Sequence, residues 1–359
     1  MPGLLVAFIS SFICTLLIIR FEHLHSHITG DIDFSAPQKF HTNAVPRIGG
    51  IAVALGITLS IIFRIINKSP NPFIEFQFLA CSLPAFAIGT AEDLTKKIGV
   101  KTRLLFIIVS AALAIYYLDA LILGLGIRWV DNIFVLPGIA VGFTIFSIAG
   151  LTNAFNIIDG FNGLASMVGI ISLTAIAYIN YLVGELQFFS LSLALVGAIL
   201  GFFIWNYPKG QIFLGDGGSY LIGFWIATLS ILLVTRNPSV SPWFALSVNA
   251  YPALETLFTI YRRKIHQGRN PDEADGMHFH TLIYRRVLKK QFDIQNPKLT
   301  NSRTSPYLWI LSGLPVIASM LWWNSTPTLA MCCLLFILGY LWLYQKIVRF
   351  KTPRWLHFF

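Results

Sequence analysis

Runs of roughly 20 apolar residues recur from one end of this chain to the other, each long enough to cross a bilayer as a helix. Hydrocarbon offers backbone N–H and C=O groups no partner, so runs of this length must satisfy them internally, as helices. Of 359 residues, 55% are apolar and only 12% are charged, with mean hydropathy +0.69. A water-soluble domain carries about twice that charged share. The expectation is an all-α, polytopic integral membrane protein: one transmembrane domain over residues 1–359, with no water-soluble domain of any size.

Eleven spans are expected, at roughly 4–20, 48–66, 72–91, 103–119, 133–151, 163–182, 186–206, 217–235, 243–261, 306–323 and 328–347. Leu4 to Ile19 has no basic stretch before it, and Arg20 follows directly, so it reads as a retained first span rather than a cleaved leader. Leu121 to Val130 is too short to cross and reads as a re-entrant or interfacial piece. No internal repeat of the kind found in many transporters is evident.

The net charge of +10 does not point to nucleic acid, because the basic residues sit in short loops between spans. There they set orientation. With the N-terminus outside, the inner segments are roughly 20–47, 92–103, 152–162, 207–216, 262–305 and the tail from Gln345, and they hold 22 of the 26 Lys and Arg. That bias places the N-terminus outside and the C-terminus in the cytoplasm. Cys14, Cys81, Cys332 and Cys333 all fall inside apolar runs, so they read as small core residues and not as a disulfide framework.

Four polar clusters interrupt the apolar background, and all four follow odd-numbered spans, hence all face the cytoplasm. Carboxylates, amides and histidines are costly near hydrocarbon, so their convergence at one face points to a shared task. The first is Glu92-Asp93, followed by Lys96, Lys97, Lys101 and Arg103. A solvated helix end paired with lysines explains it as well as a site does. Two carboxylates can also orient a divalent ion or accept a proton, and the basic residues can receive a phosphate.

The second, NAFNIIDGFNGLA from Asn153 to Ala165, is more specific. Asn153, Asn156 and Asp159 are spaced to share a helical face before Gly160 ends the turn. A capped helix–turn–helix accounts for the glycines but not for so many amides and an acid in ten residues. The third, FLGDGGSY, sets Asp216 among glycines at the start of a span. Backbone N–H groups and the helix dipole there favour an anion, and Asp216 can bring Mg²⁺ with it; a glycine-rich turn with an acidic cap is the plainer alternative. The fourth is the basic loop from Arg262 to Arg303, with His278 and His280. Zinc fits it poorly, since no cysteine is near and the carboxylates suit a harder cation. Pro46-Arg47-Ile48-Gly49-Gly50, taken alone, reads as a helix start with a snorkelling arginine.

In order, PRIGG, AED, NAFNIIDGFNGLA, FLGDGGS and PALE…YRR…HFH resemble the motifs of the polyprenyl-phosphate N-acetylhexosamine-1-phosphate transferases, glycosyltransferase family 4. The resemblance runs from about Pro46 to Arg286. It implies transfer of a sugar 1-phosphate from a UDP-N-acetylhexosamine to undecaprenyl phosphate, with Mg²⁺ (Mn²⁺ as the alternative) and release of UMP, in a bacterial inner membrane with the N-terminus periplasmic. It implies Asp216 as the metal ligand, and Asn153, Asn156 and Asp159 in the diphosphate pocket. Glu92 and Asp93 would handle the lipid phosphate, Asp93 taking its residual proton. Arg47, Lys101, Arg103, His278 and His280 would contact substrate. Glu92 stands where the family usually has Asp, and Thr281 follows His280 where a further histidine is common; the second departure argues against the MurNAc-pentapeptide branch. Membrane lipid and the two substrates are the expected partners, nucleic acid is not, and a homodimer is compatible with the sequence. The rival from another class is a transporter or lipid flippase with an intramembrane acidic site, which would place polar groups near the midplane and on both sides of it.

Overall fold

The computed structural model describes residues 2–30, 45–69, 71–266, 268, 276–288 and 297–357. Among these no strand forms; the one extended pairing is an isolated antiparallel bridge between Gly30 and Pro46. Helices run α1 Pro2–Arg20, α2 Glu22–Thr29, α3 Gly49–Ile66, α4 Pro72–Thr95, α5 Val100–Leu118, α6 Arg128–Phe134, α7 Pro137–Ile158, α8 Leu164–Leu182, α9 Leu186–Asn206 and α10 Gly215–Arg236. They continue with α11 Pro242–Val248, α12 Ala250–Tyr261, α13 Phe279–Leu282, α14 Pro297–Leu321 and α15 Thr326–Val348. Ten of these are long and apolar enough to cross a membrane, so the chain is an all-α multi-pass membrane protein.

The expected ninth span, 243–261, is the one that is not a continuous helix. It breaks at Asn249 into α11 and α12. Pro252 has no N–H to give the Val248 carbonyl, which accepts from Ser172 Oγ instead (2.9 Å). Asn249 Nδ2 donates to Ser230 Oγ (3.1 Å) and to the Ala245 carbonyl (2.9 Å), so side chains satisfy the broken turn. Residues 121–127 are irregular and lead into the short helix α6, in place of a span.

Two expected loop boundaries also move. Helix α7 runs on to Ile158, and α4 to Thr95, so Asn153, Asn156, Glu92 and Asp93 lie on helices. Asp93 and Asn156 do not end these helices because α10 supplies their partners. The 20–47 loop contains α2, and the 262–305 loop contains α13 with π-helical turns at Arg262–His266 and Ile283–Leu288. Residues 31–44, 267, 269–275 and 289–296 of those loops lie outside the described part.

Helix α10 is the axis of the bundle. Every residue from Gly215 to Leu233 is buried, with α3, α4, α7 and α8 packed around it. A helix that is apolar all round belongs in an interior of this kind. Its first turn is reached at backbone distance by two neighbours. A Cβ on Gly50 of α3 would overlap the Gly218 backbone, and one on Gly89 of α4 would lie 2.6 Å from Gly217 N. No larger residue fits at either crossing, so the amino end of α10 is fixed against α3 and α4. The outward surface is Leu, Ile, Phe and Tyr, as on Leu5, Ile9, Ile13 and Leu17 along α1, which suits contact with lipid chains.

Candidate active site

The amino end of α10 collects the polar clusters. Gly215 turns the chain with φ +78°, and the segment before it pairs with the start of α3. Phe213 N donates to Pro46 O (2.8 Å), Gly49 N to Phe213 O (2.9 Å) and Gly50 N to Leu214 O (2.8 Å). PRIGG and FLGDGG are therefore two sides of one structure. Arg47 is held above it, its own N–H bonded to Thr29 O (3.0 Å) at the end of α2.

Asp93, on the last turns of α4, is 2% exposed. Its Oδ1 accepts from Asp216 N and its Oδ2 from Gly217 N, each at 2.9 Å. One carboxylate thus satisfies two of the N–H groups that every helix leaves unpaired at its start. An acid near a helix C-terminus opposes that helix's dipole; here the positive end of α10 and Arg47, whose Nη2 lies 3.6 Å from Asp93 Oδ1, offset the conflict.

Asp216 sits in the first turn of α10 and is itself buried, at 6% exposure. Arg47 Nη2 donates to its Oδ1 (3.4 Å), and Arg103 of α5 is ion-paired with its Oδ2. Asn156 of α7 donates from Nδ2 to Asp216 Oδ1 (2.9 Å) and to Ser219 Oγ (3.1 Å). Asn153 lies one turn earlier on α7, half-buried. Asp159 follows the helix as its C-terminal cap. Burial pushes its carboxyl well above the usual carboxylate range; Arg47 pulls it down, while Asp216 and Asp93 push it further up. Three carboxylates are thus within electrostatic reach of one another, with two arginines among them.

The turn at Gly160 brings in the fourth cluster. His280 is buried and faces Gly160 closely enough that a Cβ there would sit 3.2 Å from its Nε2. Its ring meets Phe161 edge-on (5.5 Å) and stacks on His278 (5.1 Å, 16° between planes). The structure therefore brings together Arg47, Asp93, Arg103, Asn156, Asp159 and Asp216, with His278 and His280 on the Asp159 side. Glu92 is not in that group. Its Oε2 accepts from Ile98 N (2.7 Å) and closes the turn between α4 and α5, although its charge is felt by Arg103. Lys101 is exposed on the first turn of α5.

Glu255, the acid of PALE, is given no role by the sequence, although it is bonded to the HFH segment. Its Oε1 accepts from Phe279 N (3.0 Å) and lies 3.2 Å from His278 Nδ1. The available signal was a single carboxylate inside the apolar 243–261 stretch.

Among the described residues no three His, Cys, Asp or Glu side chains gather tightly enough to hold a metal alone. Mg²⁺, however, is commonly held by one or two carboxylates together with substrate phosphates. Asp216 and Asp159 offer hard oxygen donors of that type, and no thiolate competes, so the donor set fits the ion.

A bundle of apolar helices closed around a buried acid–base cluster at one end defines a multi-pass membrane protein with a polar site at one membrane face. The sequence profile of glycosyl transferase family 4 matches residues 76–234, from α4 to the end of α10. The protein named probable undecaprenyl-phosphate N-acetylglucosaminyl 1-phosphate transferase of Bacillus subtilis strain 168 is 30% identical over 286 residues, covering 78% of this chain and 77% of that protein. The undecaprenyl-phosphate alpha-N-acetylglucosaminyl 1-phosphate transferase of Escherichia coli K12 is 30% identical over 288 residues, 77% and 75% of the two chains. A phospho-N-acetylmuramoyl-pentapeptide-transferase of Streptococcus thermophilus is 27% identical over 300 residues, 77% of this chain and 84% of that one. This chain belongs to glycosyl transferase family 4, among the polyprenyl-phosphate N-acetylhexosamine-1-phosphate transferases.

Proposed function

We propose that this protein transfers N-acetylhexosamine 1-phosphate from a UDP-sugar to undecaprenyl phosphate, releasing UMP and starting a lipid-linked cell-surface glycan. The observation that carries the reading is Asp216, buried at the start of α10 with Arg47, Arg103 and Asn156 on its two oxygens. A carboxylate so supplied with cationic and amide donors is a ready exchange partner for phosphate oxygens, which the same donors bind well. The names of the relatives support undecaprenyl phosphate as acceptor.

In this reading the lipid phosphate oxygen attacks the sugar-linked phosphorus, that P–O bond forms, and the bond from the same phosphorus to UMP breaks. One phosphoanhydride replaces another, so the equilibrium lies near balance. Mg²⁺, or Mn²⁺ in its place, would be held by Asp216 together with the substrate phosphates and would neutralise the diphosphate. Arg47 and Arg103 bind and orient the two phosphate groups. Asn156 fixes the direction of the Asp216 carboxylate. His280, packed beside Gly160, would flank the sugar diphosphate.

Asp93 is better suited to holding Asp216 than to taking a proton. Protonation at either oxygen would disrupt an N–H bond to the start of α10. A strong base is not required, because a phosphate monoester with a second pKa near 6 is already largely ionised at about pH 7. Asp159, half-buried beside the arginine, is the better acceptor for the remainder. The Lys and Arg distribution supports a cytoplasmic site and C-terminus. A C-terminal reporter active only in the periplasm would overturn that orientation.

Purified protein should exchange radiolabelled UMP into UDP-N-acetylhexosamine in the presence of undecaprenyl phosphate. No exchange with any UDP-sugar of a broad panel, under conditions where the protein is folded, would sink the proposal.

A further inference from the structure

Helix α15 contributes nothing to the cluster around Asp216, yet its second half is bonded to Glu255 of α12 and to both flanks of the segment carrying His278 and His280. Tyr340 OH donates to Glu255 Oε2 (2.8 Å). Tyr344 OH donates to Met277 O (3.1 Å). Arg286, just past the histidines, donates from Nη1 to Ile347 O (3.1 Å) and to Val348 O, and its guanidinium lies 4.1 Å over the Phe350 ring. Both carbonyls lie in the last turn of α15, so Arg286 ties the 283–288 turn to the end of that helix.

Glu255 is the centre of this arrangement. It is 1% exposed. Its two oxygens are engaged by the Phe279 N–H, by His278 Nδ1 and by the Tyr340 hydroxyl. His278 Nδ1 also lies 3.3 Å from Thr259 Oγ1, one turn along α12 from Glu255. A carboxylate buried in an apolar stretch is expensive and contributes little net stability. What it can supply is position. His278, set by Glu255, stacks on His280, and His280 packs against Gly160 and Phe161 beside Asp159.

We infer that Glu255 and Tyr340 are positioning residues for the transfer reaction: together they clamp the 277–280 segment between α12 and α15 and seat His280 against the Asp159 turn. The inference rests on the transferase reading. Neither residue touches the cluster at Asp216, so their effect reaches the substrate only through the two histidines.

Tyr340→Phe is the cleanest perturbation, because it deletes one hydroxyl and keeps the ring that packs on Phe279 (5.0 Å between centroids). Small misplacements far from the chemistry can cost up to about a hundredfold in rate. For this variant a fall of about tenfold in kcat is expected, with KM for the UDP-sugar close to wild type and the melting temperature lower by about 2–4 °C, since one hydrogen bond to a buried carboxylate is lost; turnover is compared at a temperature where both proteins are folded. The decisive comparison is a double-mutant cycle with His280→Ala in full-length protein in nanodiscs. Tyr340→Phe should cost turnover in the wild-type background and almost nothing once His280 is gone. An equal loss in both backgrounds would mean that Tyr340 acts on the fold generally, and would overturn the inference; so would unchanged kcat in the single variant. Hydrogen exchange of the 277–282 amides gives a readout independent of turnover. Tyr340→Phe should speed it relative to the 164–182 amides, and unchanged rates would refute the clamp even if wild-type protein exchanged no UMP. That last failure would count against the transferase reading instead.

Discussion

Asp93→Asn separates two roles for the buried acid on α4. As a proton acceptor, Asp93 would lose its chemistry on this change while the fold stayed intact. As a cap on α10, it would lose structure first. Asparagine keeps one acceptor oxygen, enough for either Asp216 N or Gly217 N but not both. Its amide N–H₂ would face the remaining N–H, donor against donor. Loss of one hydrogen bond to a charged group costs about 1.5–3 kcal/mol, and a stranded buried N–H adds about 1–3 kcal/mol. The Arg47 contact at 3.6 Å would weaken as well. Together these make a destabilisation of roughly 2.5–6 kcal/mol, which should lower the melting temperature of a chain this long by about 3–8 °C. Turnover should fall with it, because Asp216 rides on the same N–H. Glu92→Gln is the control: its amide oxygen can still accept from Ile98 N, so it should keep both stability and most turnover. The assay is thermal unfolding of purified protein alongside UMP exchange. Asp93→Asn that melts like wild type but turns over nothing would refute the cap and restore the proton-acceptor role.

Asp216→Asn should lower exchange by about a hundredfold or more while the protein stays folded, and should weaken the stimulation by Mg²⁺; a variant with wild-type rate and metal dependence would remove Asp216 from the site. Arg103→Ala should cost at least about tenfold in turnover, and exposed Lys101→Ala less than about threefold, since only Arg103 reaches the buried carboxylate, where charge-assisted contacts are strong; equal losses in steady-state kinetics would contradict the geometry. Asp159 bears on pH. Its carboxyl is raised in the folded state, so in metal-free protein its stability contribution is full below the unfolded carboxylate range and is lost as pH rises through that range toward the folded value. Asp159→Asn should flatten that part of the melting-temperature profile in EDTA, and an identical slope would count against it.

The spans were legible because hydrocarbon demands about 20 apolar residues in a row, and most loops lack them. The ninth reads as continuous because its break lies at Asn249 and Pro252, inside an otherwise apolar run. Side-chain bonds from Ser172 and Ser230 make that break tolerable, and no local pattern announces them. Loop edges near 152 and 92 were set early because polar residues were read as leaving the membrane; Asn156 and Asp93 stay on their helices because α10 supplies their partners. The clusters themselves stood out against the apolar background. What could not be read was their division of labour. Asp93 bonds to backbone N–H groups, which carry no sequence signature, whereas Glu92, its neighbour, turns to Ile98 N. PRIGG taken alone reads as a helix start with an interfacial arginine; only the resemblance puts Arg47 at the substrate, and the pairing of Phe213 and Leu214 with the start of α3, which joins it to FLGDGG, has no sequence signature. Glu255 was visible as a lone acid, but its partner Tyr340 lies 85 residues away.

The central claim is a chemical one, and the forward reaction tests it most directly. Purified protein in nanodiscs, given undecaprenyl phosphate, Mg²⁺ and a UDP-N-acetylhexosamine labelled in the sugar, should form a lipid-extractable diphosphate sugar and release one UMP for each sugar transferred. The Asp216→Asn protein should form none above background. Label that stays wholly water-soluble across a panel of UDP-sugars, or lipid product formed with release of UDP instead of UMP, would contradict the account.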